Sequence, residues 1–155
     1  MTVILSFDPS SNKAATSNTG VVLIDNGKLL NHWCLPYGVD GIKKWYEEEF
    51  NKIKFDKVIF EHFEARDNSK SKDNTVLETI AEIQRLIPCA EPFRNGGYQT
   101  DVPNELLKAL GLWKFGKSHH QDVRAAARLC IFYAMRNDLE DFVNGVGELL
   151  SERNI

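Results

Sequence analysis

Two short apolar runs, each ending in an acid, constrain this chain more than any other feature. Val3-Ile4-Leu5-Ser6-Phe7 runs into Asp8, and Lys57-Val58-Ile59-Phe60 runs into Glu61. A brief apolar run bounded by turn formers reads as a buried strand, and Asp8-Pro9-Ser10-Ser11-Asn12 is such a boundary. An acid that closes a buried strand is poorly placed for solubility but well placed to hold a metal at the edge of a sheet. A third acidic signal, His119-His120-Gln121-Asp122, opens an apolar helical run much later.

The pattern around these points predicts a sheet crossed by helices. Thr19 to Ile24 and Lys28 to Leu35 read as strands joined at Asp25-Asn26-Gly27, a strong hairpin signal. From Val39 to Ile53, the residues Ile42, Trp45, Tyr46, Phe50 and Ile53 recur at helical spacing. After the strand at Val58 to Phe60 comes a polar stretch, Glu64 to Asn74, then a helix over Thr75 to Ile87 and a weak fifth strand over Cys89 to Phe93. Helices follow at Pro103 to Leu110, capped by Gly111, at Asp122 to Met135 and at Leu139 to Leu150. The expected fold is therefore α/β: a five-stranded mixed sheet, its first three strands antiparallel, flanked by helices. Strand ends carry the site in such sheets, and Asp8 and Glu61 fall there.

Bulk properties narrow the classes. A chain of 155 residues with 43% hydrophobic content is long enough for one core and short for two, so 1–155 reads as a single domain. The net charge of −3 gives no global basic field to advertise a nucleic-acid partner, which leaves local patches to matter more. Cys34, Cys89 and Cys130 are odd in number and widely spaced, indicating neither a disulfide framework nor a zinc site. No leader-like or membrane-spanning segment is evident, so a soluble, cytoplasmic protein is expected.

Phosphodiester hydrolysis needs an activated water and a stabilised leaving oxygen. Two divalent ions about 3.5–4 Å apart supply both and prefer hard oxygen ligands. Carboxylates from two strands and a facing helix can flank such a pair, with His119 and Asp122 sharing a helix face and His119 a ligand or a proton carrier. Each element also has a plainer account. Asp8 before Pro9 suits a turn, Glu61 can be a surface residue, and the His119 cluster can cap a helix through Asp122 or Ser118.

Ile4-Leu5-Ser6-Phe7-Asp8-Pro9-Ser10 followed by Thr19-Gly20-Val21-Val22 resembles the opening hairpin of RuvC-type Holliday junction resolvases in the RNase H-like superfamily. Val58-Ile59-Phe60-Glu61 is similar to that family's fourth-strand glutamate. His119-x-x-Asp122 before Ala125-Ala126-Ala127 is similar to its C-terminal helix. The resemblance covers about residues 2 to 137, and in compactness it extends to phage-encoded resolvases. It implies an RNase H-like fold and a structure-selective endodeoxyribonuclease. Asp8, Glu61, His119 and Asp122 would be both the catalytic and the metal-binding set, with two Mg²⁺ ions per site and Mn²⁺ able to substitute. It further implies a homodimer nicking symmetric strands of a four-way junction, in the host cytoplasm if phage-encoded. The chain departs from the family in its longer Asp8-to-Thr19 loop, in Ser10 where a glycine is common, and in a shorter, more apolar stretch from Leu106 to Ser118.

Phe63 is the candidate for the family's stacking aromatic after the strand-four acid. Lys13, Arg66, Lys70, Lys72, Lys114 and Lys117 lie near the acidic points in sequence and are candidate DNA contacts. Arg124 and Arg128, a helical turn apart, are open to pairing with surface acids. The stripe Val76, Leu77, Ile80 and Ile83 reads as core, with a dimer interface as the resemblance's alternative. Trp33, Trp45 and Trp113 read as packing residues. Competing functions are a non-catalytic module binding branched DNA, an RNA–DNA hybrid nuclease of the same fold and, ranked lower, an actin-like phosphotransferase, for which the chain lacks a second phosphate loop.

Overall fold

Asn26 and Gly27 turn the chain from β2 (Thr19–Asp25) into β3 (Lys28–Leu35), both with positive φ, 48° and 92°. That geometry matches the twist of the flanking strands, and it is why the Asn-Gly pair was legible as a hairpin. The computed structural model describes residues 2–10, 18–63, 75–115 and 120–153. Its sheet has five strands in the order β3-β2-β1-β4-β5, with β1 at Val3–Asp8, β4 at Lys57–Glu61 and β5 at Glu91–Phe93. The first three strands are antiparallel, while β4 runs parallel to β1 and β5 parallel to β4.

Helix α1 (Gly38–Glu49) ends in a 3₁₀ turn over Phe50–Lys52, so the long helix expected to Ile53 is tightened in its last turn. Helix α2 spans Val76–Leu86, and α4 spans Asn104–Ala109, with Gly111 beyond it at φ 75°. Helices α5 (His120–Arg136) and α6 (Glu140–Arg153) close the chain. Two readings are corrected. The fifth strand begins at Glu91 because Cys89 lies in the turn before it. A one-turn helix, α3 (Tyr98–Asp101), follows β5 where no element was expected, since four residues are too few to display a period. No helix among the described residues is long and apolar enough to cross a membrane.

Alternation along the strands assigns each side chain to a layer. Leu5, Phe7, Val21, Leu23, Val58 and Phe60 pack with Ile42 and Trp45 of α1 and Ile80 and Ile83 of α2. Ile4, Val22, Ile24 and Ile59 pack with Val123, Ala126, Ala127 and Cys130 of α5. The α2 stripe is thus core, with Val76, Ile80 and Ile83 buried and Leu77 packed at the edge. Continuing the same alternation puts Asp8, Gly20 and Glu61 in phase with the α5 layer.

Candidate active site

Asp8 is the last residue of β1 and lies directly opposite Gly20 of β2. A Cβ at Gly20 would sit 2.1 Å from the Asp122 carbonyl oxygen and 2.8 Å from the Val123 nitrogen. The first turn of α5 therefore rests on bare β2 backbone, an approach only glycine permits. One turn further on, the buried Ser6 hydroxyl donates to the Ala126 carbonyl at 2.8 Å. These two contacts hold α5 against β1 and β2, and they bring Asp122 to the strand end that bears Asp8.

Past Asp8, the Ser10 N–H donates to Thr19 Oγ1 at 3.0 Å, and the two hydroxyls lie 2.9 Å apart. Thr19 is fully buried, so the chain leaving Asp8 is tied to the strand that returns beside it. Glu61 ends β4, opposite Phe93 of β5. The turn after β5 supplies Asn95, whose side-chain amide donates to Glu61 Oε1 and which also hydrogen-bonds the Tyr98 hydroxyl.

The electrostatics report how close the acids are. The Asp8 carboxyl is held well above the usual carboxylate range, first by burial, then by a side-chain hydrogen bond with Glu61, then by the charges of Glu61 and Asp122. Carboxyls that share a site oppose one another's ionisation, so a proton is held to higher pH than on an isolated carboxyl. The Tyr98 hydroxyl is also raised, by burial and then by Glu61 and Asp8. Asp8, Glu61 and Asp122 thus form one negatively charged cluster at the end of the sheet.

The donor chemistry of this cluster suits a hard divalent cation, which prefers carboxylate oxygens and would relieve the crowding of charge. Among the described residues, no three His, Cys, Asp or Glu side chains already surround a common metal position. His119 lies outside the described residues, as do Lys13, Arg66, Lys70, Lys72 and Lys117. Phe63 is half-buried and packs against the α1/α2 layer. Lys114 is exposed beside Trp113.

The surface acids offered to Arg124 and Arg128 are not their partners among the described residues. Arg124 Nε donates to the Trp113 carbonyl at 2.6 Å. The buried Arg128 donates to the Val102 carbonyl and, at 2.6 Å, to Asn104 Oδ1. Asn95 and Tyr98 were missed as site residues. The signal was the parallel pairing of β4 with β5, which places the turn after Phe93 next to Glu61. In sequence, Arg94-Asn95-Gly96-Gly97 is a polar, glycine-rich breaker that ends the fifth strand and signals nothing further.

No protein-family model matches the chain, and no curated protein matches it in sequence. Solved structures do. A Thermus thermophilus RuvC in complex with a Holliday junction substrate superposes with a TM-score of 0.67 at 11% identity, over 91% of this chain and 98% of that one. A second Thermus thermophilus RuvC structure gives 0.63 at 12%, over 87% and 96%. At such identities the agreement is one of architecture, and with its β3-β2-β1-β4-β5 sheet and flanking helices this chain has the RNase H-like fold of RuvC.

Proposed function

We propose that this protein is a metal-dependent endonuclease that resolves four-way DNA junctions, or related branched DNA, by hydrolysing phosphodiester bonds in symmetric strands as a homodimer. The observation that carries the reading is the convergence of Asp8, Glu61 and Asp122, from two parallel strands and a facing helix, at a charge density that leaves Asp8 reluctant to ionise. The RuvC-like architecture supports it, since one of the similar RuvC structures was solved with a Holliday junction substrate.

In this reading Asp8, Glu61 and Asp122, joined by His119, hold two Mg²⁺ ions, for which Mn²⁺ substitutes. When bound, the ions supply an activated water and neutralise charge on the leaving oxygen. The chain's own residues do the positioning. Asn95 fixes the orientation of Glu61 through its amide, and Gly20 and Ser6 fix the distance of Asp122 from Asp8. Tyr98, beside both Asp8 and Glu61, offers a neutral hydroxyl to a phosphate oxygen.

The test is cleavage of a labelled synthetic four-way junction beside linear duplex, Y-shaped DNA and an RNA–DNA hybrid, with Mg²⁺, with Mn²⁺ and with EDTA. Paired nicks in the junction that need the metal are expected. Binding without cutting under every metal would reduce the protein to a branched-DNA-binding module. Preferential cutting of the hybrid would reassign the substrate.

A further inference from the structure

Trp113 has two cations over its ring. The Arg124 guanidinium carbon lies 3.7 Å from the indole centroid, and Lys108 Nζ lies 4.8 Å from the same centroid. The two charges are thus held within about 10 Å, the screening length at 0.1 M salt, where they repel one another. Some cations of the chain find acids: Arg85 meets Glu82 at 2.7 Å and Arg136 meets Asp101 at 2.9 Å. Those around Trp113 do not. Among the described residues no carboxylate pairs with Arg124, Lys108 or the neighbouring Lys114, although the chain carries 22 acids to 19 Lys and Arg.

The indole is also the wall shared by two concavities. One, of about 210 Å³, is lined by Arg124, Arg128 and Tyr98; the other, of about 470 Å³, by Lys108, Gly111 and Lys114. Tyr98 links the first of them to the carboxylates, since its hydroxyl senses Glu61 and Asp8. Arg124 is fixed by ring stacking and by its Nε bond to the Trp113 carbonyl, and no described residue uses its two terminal nitrogens. A pre-oriented guanidinium with free terminal donors suits a phosphate.

We infer that Trp113 with Arg124, Lys108 and Lys114 forms a subsite for the sugar–phosphate backbone of a DNA strand leaving the carboxylate cluster, with Arg124 taking a phosphate on one side of the indole and the two lysines taking phosphates on the other. The inference rests on the function proposed above. A strand cut beside three carboxylates must run on past them, and a polyanion repelled by that cluster needs compensating charge next to it. The Trp113 patch supplies that charge at the adjoining concavity.

The test is the salt dependence of binding to a fluorescent four-way junction, in Mg²⁺ buffer, with full-length protein carrying Asp8→Asn to prevent cutting. Each lost phosphate contact lowers the slope of log K against log salt by about 0.7–0.9. Adding Lys108→Gln, Lys114→Gln and Arg124→Gln together is expected to lower the slope by about two or more and to weaken binding at least about tenfold at 0.1 M salt. Lys28→Gln with Lys57→Gln, exposed at the opposite end of the strands, is expected to change neither. Should Arg124→Gln lose its melting transition, the exposed Lys108/Lys114 double variant decides, with an expected fall of about 1.5. An unchanged slope in a variant whose parent binds overturns the subsite alone. A parent that binds no DNA overturns the proposed function, and the subsite with it.

Discussion

On the side of the sheet covered by α1 and α2, the strands present Leu5, Phe7, Val58 and Phe60 to a run of rings. Phe7 meets Trp45 edge-on at 5.5 Å, and Trp45 meets Trp33 and Phe50. On the side covered by α5, the same strands present Ser6, Asp8, Gly20 and Glu61 at the corresponding end. One residue of phase separates Phe7 from Asp8 and Phe60 from Glu61. The aromatic layer gains its stability from area and ring geometry. The α5 layer gives up apolar side chains at its end for one hydroxyl contact, one bare glycine and a cluster of acids. The comparison teaches that the strands are anchored from one side while their ends carry a cluster of acids on the other.

The sharpest way to break that contrast is to substitute neighbours across the phase boundary. Asp8→Asn is expected to abolish nicking while leaving junction binding intact and raising the melting temperature in EDTA, because the ionised carboxylate is opposed by burial and by Glu61 and Asp122. A fall in melting temperature, or surviving nicking, would contradict the assignment of Asp8. Phe7→Ala is expected to do the reverse: a loss of about 3–5 kcal/mol in denaturant melts, with nicking per folded molecule largely kept.

Gly20→Ala tests the close approach. Overpacking is expected to cost about 1–3 kcal/mol, and displacing Asp122 by even an ångström is expected to slow nicking by about a hundredfold. Activity at the parent's level, measured at a temperature where both proteins are folded, would show that α5 does not need this contact. Ser6→Ala should be milder, about 1 kcal/mol by chemical denaturation, with a smaller loss of rate.

The smallest effect is on pH dependence. The folded state keeps the Asp8 proton to higher pH than the unfolded chain, which releases it near pH 4. More protons are bound folded than unfolded across that window, so stability in EDTA is expected to fall as pH rises from about 4 to the raised folded value, and then to level off. Melting curves of the parent and of Asp8→Asn across pH check this, since the variant should lack that portion of the decline.

Much of this contrast was legible in the residues. The alternation of Val3 to Phe7, the Asn-Gly turn and the acids at two strand ends are local signals, and each fixes a face or a reversal by itself. Asp8 and Glu61 could be nominated because an acid that closes a buried run is poorly placed for solubility, and Asp122 because its cluster opens an apolar helical run. Asn95 and Tyr98 could not, because their place depends on β5 pairing beside β4, a contact between segments more than thirty residues apart. Trp113 read as a packing residue and does pack at the edge of the α5 layer, but its cations were not legible, because they come from α4 and α5, which no local pattern brings together. The burial that favoured packing for Trp45 is real there, at 2% exposure.

The Ser10–Thr19 pair has a consequence for how such a protein can diversify. Ser10 and Thr19 are bonded to each other, so the number of residues between them can change without moving Asp8 or Gly20. Doubling the length of a closed segment costs only about 0.6 kcal/mol. A library that grafts segments of other lengths and charges between Ser10 and Thr19 should yield folded proteins that keep Asp8 and Gly20 in place, and, on the proposed function, nucleases whose preferences differ.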